Sequence, residues 1–353
     1  MDLQLRPFRE IDLADPFFDS LKAAYPEFSE WYKKKAALGA KAYVFHNEEG
    51  GVTDFLYMKI ETEEVTDVVP ILPAKKRLKV GTFKLLKRGT KRGERFMKKI
   101  MDTAMAQEVA EVYVTIFPTE ELQYLIQLFE KFGFYHRADK PHVGRESEWV
   151  MVKDMKSVAG DVLENYPRMR IAGKNKWILG IYPKWHTPLF PDSILNNESY
   201  DMVQDCTQTN GIYKTYISWN SECAQMNHGD LVVIYRTSDE DGRAWYRSVV
   251  TTVCTVYEVR TWGDFKTEEE FLKYTQYSVF PEIDLKKWYK TNKNLVVIKM
   301  LYNVAFCKRV IRKDLVESGA LDESARVSLV PLTDEKFKKI IELGQADERY
   351  FVD

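Results

Sequence analysis

The stretch from Arg77 to Phe117 constrains the fold more tightly than any other part of the chain. "RLKVGTFKLL" (77–86) alternates apolar and polar residues and reads as a strand. It runs into "KRGTKRG" (87–93), which holds Gly89 and Gly93. From about Glu94 to Glu108, Phe96, Met97, Ile100, Met101, Ala104 and Met105 recur at three- and four-residue spacing, which defines an amphipathic helix. "EVYVTIF" (111–117) is then a second strand. The join between strand and helix carries five basic side chains within "LLKRGTKRGERF" (85–96). A helix N-terminus already holds partial positive charge that added cations oppose, so the pattern points to an anion there.

The flanking sequence extends the same architecture. "KAYVFHN" (41–47) and "VTDFLYMKIETE" (52–63) read as a hairpin around Gly50-Gly51. A second helix buries Leu122, Leu125, Ile126, Leu128, Phe129 and Phe132, and Gly133 sits where a left-handed residue ends it. "SEWVMVKDM" (147–155) adds a strand. The first half is therefore expected to be a mixed α/β domain.

Composition narrows the function class. Net charge is −1, which argues against a generic nucleic-acid binder, yet Lys75 to Lys99 holds twelve Lys or Arg against the single acid Glu94. Upstream, Glu61, Glu63, Glu64 and Asp67 form an acidic cluster. A length of 353 residues suggests two domains. No apolar run reaches the roughly 18 residues of a membrane span, and "MDLQLRPFREIDLAD" is not a secretory signal. The five His and four Cys are scattered, so no metal and no disulfide framework is expected. A cytoplasmic location is the expectation.

A glycine-bearing turn between strand and helix presents successive backbone N–H groups to an anion. The GxxxxGK[ST] and GxGxxG spacings are both absent. Arg88-x-x-x-x-Gly93 within "RGTKRGERF" resembles the pyrophosphate loop of the GNAT superfamily of N-acetyltransferases, and "LFEKFGF" (128–134) is similar to the second helix of that fold. The resemblance covers about residues 1–155 and implies a mixed sheet with splayed central strands. It implies acetyl-CoA as cosubstrate, held by Arg88, Gly89, Thr90, Lys91, Arg92, Gly93 and Glu94, with Phe83, Lys84 and Leu85 along the pantetheine and Phe129 nearby. The Lys91, Arg92 and Arg95 side chains would meet the ribose phosphate. Three positions depart from the family pattern: Lys91 replaces the middle glycine, Leu122 an asparagine, and Phe129 the tyrosine that many relatives use as general acid. A phenyl ring cannot protonate a thiolate, and Tyr124 lies about 140° round the helix from Phe129. Tyr113, Tyr135 or an ordered water are the alternatives for the acid, and Glu61 or Glu63 for the base. His136 and His142 are expected to be structural.

The second half differs in texture. Residues 156–170 read as a linker between the domain at 1–155 and a second at 171–353. The latter carries six of the eight Trp. Strands are expected at 176–183, 213–219, 230–237, 245–260 and 294–306, and helices at 267–274, 312–319 and 333–344, the last capped by Thr333 and Gly344. Many strands with few helices suggest a small, partly open β-barrel with peripheral helices. "YISWNSECAQMNHGDLVVIYRT", with Gly229-Asp230 introducing an apolar strand, resembles the ASCH and EVE branches of the PUA-like superfamily. That resemblance implies RNA or DNA as partner, with Trp185, Trp219, Tyr235 and Trp245 as stacking rings and Arg236, Arg243 and Arg247 at the backbone. Together the halves read as an acetyl-CoA-dependent N-acetyltransferase, acting on a primary amine, joined to a nucleic-acid-binding module. The alternative is a non-catalytic acyl-CoA-binding, RNA- or DNA-binding regulator.

Overall fold

Alternating apolar residues turn the first half into a sheet, and the structure, a computed structural model, describes residues 3–86, 91–158, 160–191, 211–240 and 242–353. The described residues fall into two compact units that part between 158 and 160. In the first, β1 (Gln4–Pro7) is followed by the short helix α1 (Asp19–Ala24) and α2 (Phe28–Ala37). Then come β2 (Lys41–His46), β3 (Val52–Glu61), β4 (Arg77–Leu85), α3 (Arg92–Ala106), β5 (Glu111–Ile116), α4 (Gln123–Lys131), β6 (Tyr135–His142) and β7 (Arg145–Asp154). The seven strands form one sheet in the order β1-β2-β3-β4-β5-β7-β6. β4 and β5 pair in parallel and the other neighbours antiparallel, so the sheet is mixed.

Each face of this sheet has its own cover. Phe8, Phe18, Phe28 and Tyr32, from residues that gave no element signal, pack against Phe55 and Tyr57 of β3. On the other face Phe83 meets Phe96 of α3 and Phe129 of α4, with ring centroids 5.4 Å apart in both pairs. Each such buried ring stabilises the fold by about 1.5–3 kcal/mol. The α3 stripe lies where its spacing put it, with Phe96, Met97, Ile100, Met101, Ala104 and Met105 all buried. Gly133 takes φ +80° just past α4, the left-handed end expected of it.

The second unit contains α5 (Val162–Asn165), β8 (Met169–Arg170), β9 (Lys176–Ile181), α6 (Pro183–Leu189), β10 (Tyr213–Ser218), β11 (Leu231–Arg236), α7 (Ala244–Arg247) and β12 (Val249–Thr261). It continues with α8 (Glu268–Thr275), α9 (Glu282–Thr291), β13 (Val296–Ile311), α10 (Arg312–Glu317), β14 (Leu329–Leu332), α11 (Asp334–Leu343) and β15 (Phe351–Val352). Six strands make a mostly antiparallel sheet in the order β10-β13-β12-β11-β9-β14. The edges β10 and β14 do not pair with each other among the described residues, so the expected barrel is seen as an open, bulged sheet. Alternation fills both of its faces. Val232 and Ile234 enter one cluster with Phe271 and Leu285, while Leu231, Val233 and Tyr235 enter another with Leu315, Phe337 and Ile340.

Two local expectations change here. Residues 245–247, expected in a strand, form a helical turn before β12. Gly344 caps α11 with φ −77°, not a left-handed angle; a Cβ there would lie 2.7 Å from the Phe306 ring, so close packing explains the glycine. Thr333 caps α11 as expected, accepting from the Lys336 N–H.

Candidate functional site

The central feature of the first unit is a wedge between β4 and β5. The two strands pair only from Arg77–Glu111 to Val80–Val114. Beyond Val80, β4 keeps its ladder with β3 as far as Asp54–Leu85 but has no strand partner on the β5 side among the described residues. Gly81 marks the point of departure. Tyr57 pairs with Thr82 and Met58 with Val80, which leaves Gly81 as the extra residue of a bulge. A Cβ at Gly81 would lie 2.8 Å from the Tyr57 ring. The bulge also flips the alternation. Lys79 and Lys84, five positions apart, share the Tyr57 face, while Phe83 and Leu85 turn toward α3 and α4.

The free edge of β4 leads to the basic turn. Arg88, Gly89 and Thr90, expected to cradle the diphosphate, lie outside the described residues. The turn's far side is α3, whose first turn holds Gly93 and Glu94 without an intrahelical acceptor for their N–H groups and without a side-chain cap from Lys91. Gly93 is buried, and a Cβ there would approach Leu128 at 3.1 Å and Leu85 at 3.3 Å. Close approach of strand and two helices therefore calls for glycine independently of any ligand. Burial lowers the Lys91 ammonium pKa, and Glu94 opposes the shift.

Arg92 is used otherwise than expected. Its guanidinium donates to Asp54 Oδ2 at 2.6 Å and to Thr53 Oγ1 at 3.2 Å, and lies over the Phe45 ring. Arg95 also lies over Phe45. Asp54 is fully buried, and desolvation raises its carboxyl although Thr53 and Arg92 pull the other way. The Arg92 side chain thus ties α3 to the buried Asp54 of β3. Lys84 likewise reaches Phe17 O and the Ser20 hydroxyl.

The four catalytic candidates separate. Tyr113 and Glu61 meet: the phenol, fully buried, donates to Glu61 Oε2. Burial and the Glu61 carboxylate together push the phenol well above its ordinary range. Burial alone would raise Glu61, but hydrogen bonds from Lys59 and Tyr113 and the nearby Lys79 charge hold it below its usual value. Lys79 lies over the Tyr113 ring at 5.2 Å, and burial lowers its pKa. This group sits at the closed end of the wedge, on the Tyr57 face. Glu63 is exposed beyond the end of β3. Tyr135 is on the edge strand β6, separated from β5 by β7, and accepts from Arg137, so the structure does not bring it together with Glu61 and Tyr113. Phe129 is fully buried against Phe83 and Phe134, so its place is core.

One constellation gave no sequence signal. The Tyr25 hydroxyl donates to Glu148 Oε1 at 2.7 Å, and His142 Nε2 contacts Glu148 Oε2 at 2.9 Å. Arg145 donates to His142 Nδ1 at 3.0 Å and lies over the Phe117 ring. With Nδ1 accepting, the network places the imidazole proton on Nε2, facing Glu148. Glu148 is buried and follows the Ile116–Trp149 pair, so the group borders the mouth of the wedge at the end of β5. Its members come from three separate stretches, Tyr25, Phe117 and the 142–148 hairpin, which is why no local pattern reveals them. His136 stacks on Trp149 and pairs with Asp139, a structural place as expected.

In the second unit the nucleic-acid candidates also divide. Tyr235 is 2% exposed and belongs to the core, which removes it as a stacking ring. Trp185 packs on Phe280 and Trp288 against the other cluster. Trp219 is 60% exposed, and Trp245 is half-buried. Arg243 pairs with Glu240, Arg247 with Asp239 and Glu240, and Arg236 stands 3.8 Å from Asp239. Arg236 and Arg247 line a cleft with His186 and Tyr246, two residues the sequence did not single out.

No protein-family model and no curated protein matches the chain. Solved structures similar to it include the ASCH protein of Zymomonas mobilis, at 10% identity and TM-score 0.32, over 48% of this chain and 94% of that one. Naa20 of Chaetomium thermophilum, in complex with a bisubstrate analogue, is 18% identical with TM-score 0.33, over 44% and 87% of the two chains. Arabidopsis thaliana Naa50, also bound to a bisubstrate analogue, is 17% identical with TM-score 0.29, over 44% and 99%. GNAT N-acetyltransferases and ASCH proteins are thus both among the solved structures that resemble the chain. Among the described residues no helix is long and apolar enough to cross a membrane.

Proposed function

We propose that the first unit is an acetyl-CoA-dependent N-acetyltransferase acting on a primary amine. The observation that carries this is the loss of β5 as a partner to β4 beyond Val80, directly before the glycine-bearing basic turn and the first turn of α3. An extended ligand arm can add to the open β4 edge from Gly81 to Leu85 as a strand would, while the turn and helix start receive a diphosphate. The donor set fits: the open main-chain edge of β4 on one side and a helix N-terminus on the other.

Acetyl-CoA would supply a thioester carbonyl open to direct attack by a neutral amine. The protein's part is to orient and to move protons. Main-chain N–H groups beside the Gly81 bulge would meet the negative charge that develops on the thioester oxygen. Glu61, ionised at neutral pH, attracts an ammonium to the Tyr57 face and takes its proton, directly or through water, with Tyr113 and Lys59 fixing its orientation. Phe129 provides no proton, so protonation of the leaving thiolate falls to water or to a group on the acceptor.

Phe129 also sustains the second reading, a unit that binds acyl-CoA without turning it over. Thermal shift with acetyl-CoA followed by thiol release separates the two. Both readings require a raised melting temperature. Enzyme activity further requires accelerated thiol release with at least one class among lysine-bearing protein, tRNA and polyamine, and release that no amine accelerates would overturn the catalytic reading. For the second unit we propose nucleic-acid binding through exposed Trp219, Trp245 and the arginines at 243 and 247. Retention on RNA or DNA that weakens with salt is expected, and no retention at low salt sinks it.

A further inference from the structure

Lys79 stands where the acyl-transfer reading brings an acceptor amine. It is one position before Val80, the last residue of β4 that pairs with β5, and two before the Gly81 bulge. Register sets Lys59, Lys79 and Tyr113 side by side on one face of β3, β4 and β5. The Lys79 ammonium lies 5.2 Å from the centre of the Tyr113 ring and 4.0 Å from Glu61 Oε1. Among the described residues no hydrogen bond holds it, whereas Lys59 and the Tyr113 hydroxyl both contact the Glu61 carboxylate directly. Lys59 is also on the far side of β4 from the wedge.

Three properties suit Lys79 to take an acyl group. One is its charge state. Burial above all, with Lys140 and Lys59 adding to it, lowers its pKa against the pull of Glu61 and Asp67, so more of it is the neutral amine that can attack. The second is a base at hand. Although burial raises the Glu61 carboxyl, its hydrogen bonds from Lys59 and Tyr113 keep it ionised and able to receive a proton. The third is reach. Gly81 is two residues further along β4, about 7 Å at the rise of a strand, and a flexible four-carbon stem covers that span by changing rotamer.

We propose that Lys79 is a site of self-acetylation: with acetyl-CoA in the wedge and no acceptor bound, its Nζ attacks the thioester carbonyl. The C–N bond forms as the C–S bond breaks. The amine's proton passes to Glu61 and on to solvent, and the coenzyme A thiolate leaves and takes a proton from water. The acetylated side chain carries no charge, so the cation beside Glu61 is lost and an acetamide fills the place of an incoming amine. Transfer to other acceptors therefore slows as the modification accumulates. This inference rests on the acyl-transfer reading of the first unit.

Incubation of the full chain with acetyl-CoA and no added amine, followed by peptide mass spectrometry, tests the assignment. An acetyl group is expected on Lys79 well ahead of Lys59, at a rate per molecule that does not change with protein concentration. Glu61→Gln should slow the modification about a hundredfold, the size of a lost general base, while the acetyl-CoA-induced rise in melting temperature remains. Lys79→Arg keeps the cation but cannot take the acetyl group. Preincubation with acetyl-CoA should therefore reduce transfer to an added amine in the unsubstituted chain and not in this variant. A raised melting temperature with Lys79 unmodified overturns the proposal and leaves the binding reading standing. A rate that climbs with protein concentration, or acetyl groups spread evenly over the surface lysines, overturns it as well. No rise in melting temperature overturns the acyl-CoA reading itself, and this inference with it.

Discussion

Among the described residues at the mouth of the wedge, β4 from Gly81 to Leu85 has no strand partner on its β5 side, and the first turn of α3 has no side-chain cap. Nearby side chains are engaged elsewhere, Arg92 with Asp54 and Lys84 with Phe17 and Ser20. In the second unit's cleft the relation is reversed. There the main chain lies in the ladders of β11, β12 and β13, and side chains line the cleft, His186, Arg236 and Arg247 among them. A main-chain site depends on where side chains are missing, so it tolerates exchange of the charges around it and fails when a glycine is filled. A side-chain site fails one residue at a time.

The largest expected effect tests the first half of that contrast. Gly81→Val places branched atoms where a Cβ already meets Tyr57 at 2.8 Å, so the bulge must shift and the β4 edge with it. We expect the acetyl-CoA-induced rise in melting temperature to vanish, a loss of about a hundredfold in affinity, alongside about 1–3 kcal/mol of stability. An undiminished thermal shift would show that the edge is not where the ligand lies. Next comes Asp54→Ala, which takes from Arg92 its buried carboxylate. Unfolding in urea should show a loss of about 3 kcal/mol, and a change under 1 kcal/mol would mean that Asp54 is no anchor for α3. Smaller still is Lys91→Ala at the turn itself. If main-chain groups hold the diphosphate, acetyl-CoA affinity should fall no more than about threefold, near the size of one screened surface charge. A tenfold loss would make the wedge a side-chain site like the cleft and erase the contrast.

The same distinction explains what could be read from the chain. The β4–α3 join showed in sequence because its signals are local: alternation to Leu85, glycines, then a three-four apolar stripe. Gly133 was legible for the same reason. Residues 4–37 were not, since Phe8, Phe18 and Tyr32 gain meaning only against Phe55 of β3. The bulge at Gly81 is invisible without the β3 register that defines it. Arg92 illustrates a subtler limit: its charge was legible, but its partner Asp54 lies 38 positions earlier, and a distant carboxylate decides whether a cation serves a ligand or the fold. The cleft is the extreme case. Its residues span His186 to Arg309, and the aromatic ring at its rim is Tyr246, one position from the expected Trp245.

The smallest effect concerns charge that belongs to the fold alone. His228 presents Nδ1 to Tyr257 O at 2.7 Å and Nε2 to Asp161 Oδ1 at 2.6 Å. Both partners are acceptors, so both ring nitrogens are asked to donate, and only the imidazolium can do so. Burial disfavours that charge, but the Tyr257 carbonyl and Asp161 outweigh it and raise the pKa above the ordinary value. A raised pKa contributes stability that is complete below the unfolded value near 6.5 and is lost as pH climbs through the folded value. Because the pair is about half exposed, the contribution is a few tenths of a kcal/mol, up to about 1. His228→Gln should therefore lower stability to urea at pH 5.5 and make almost no difference at pH 9. A deficit that grows with rising pH would reverse the sign and show that the neutral ring is the form the fold retains.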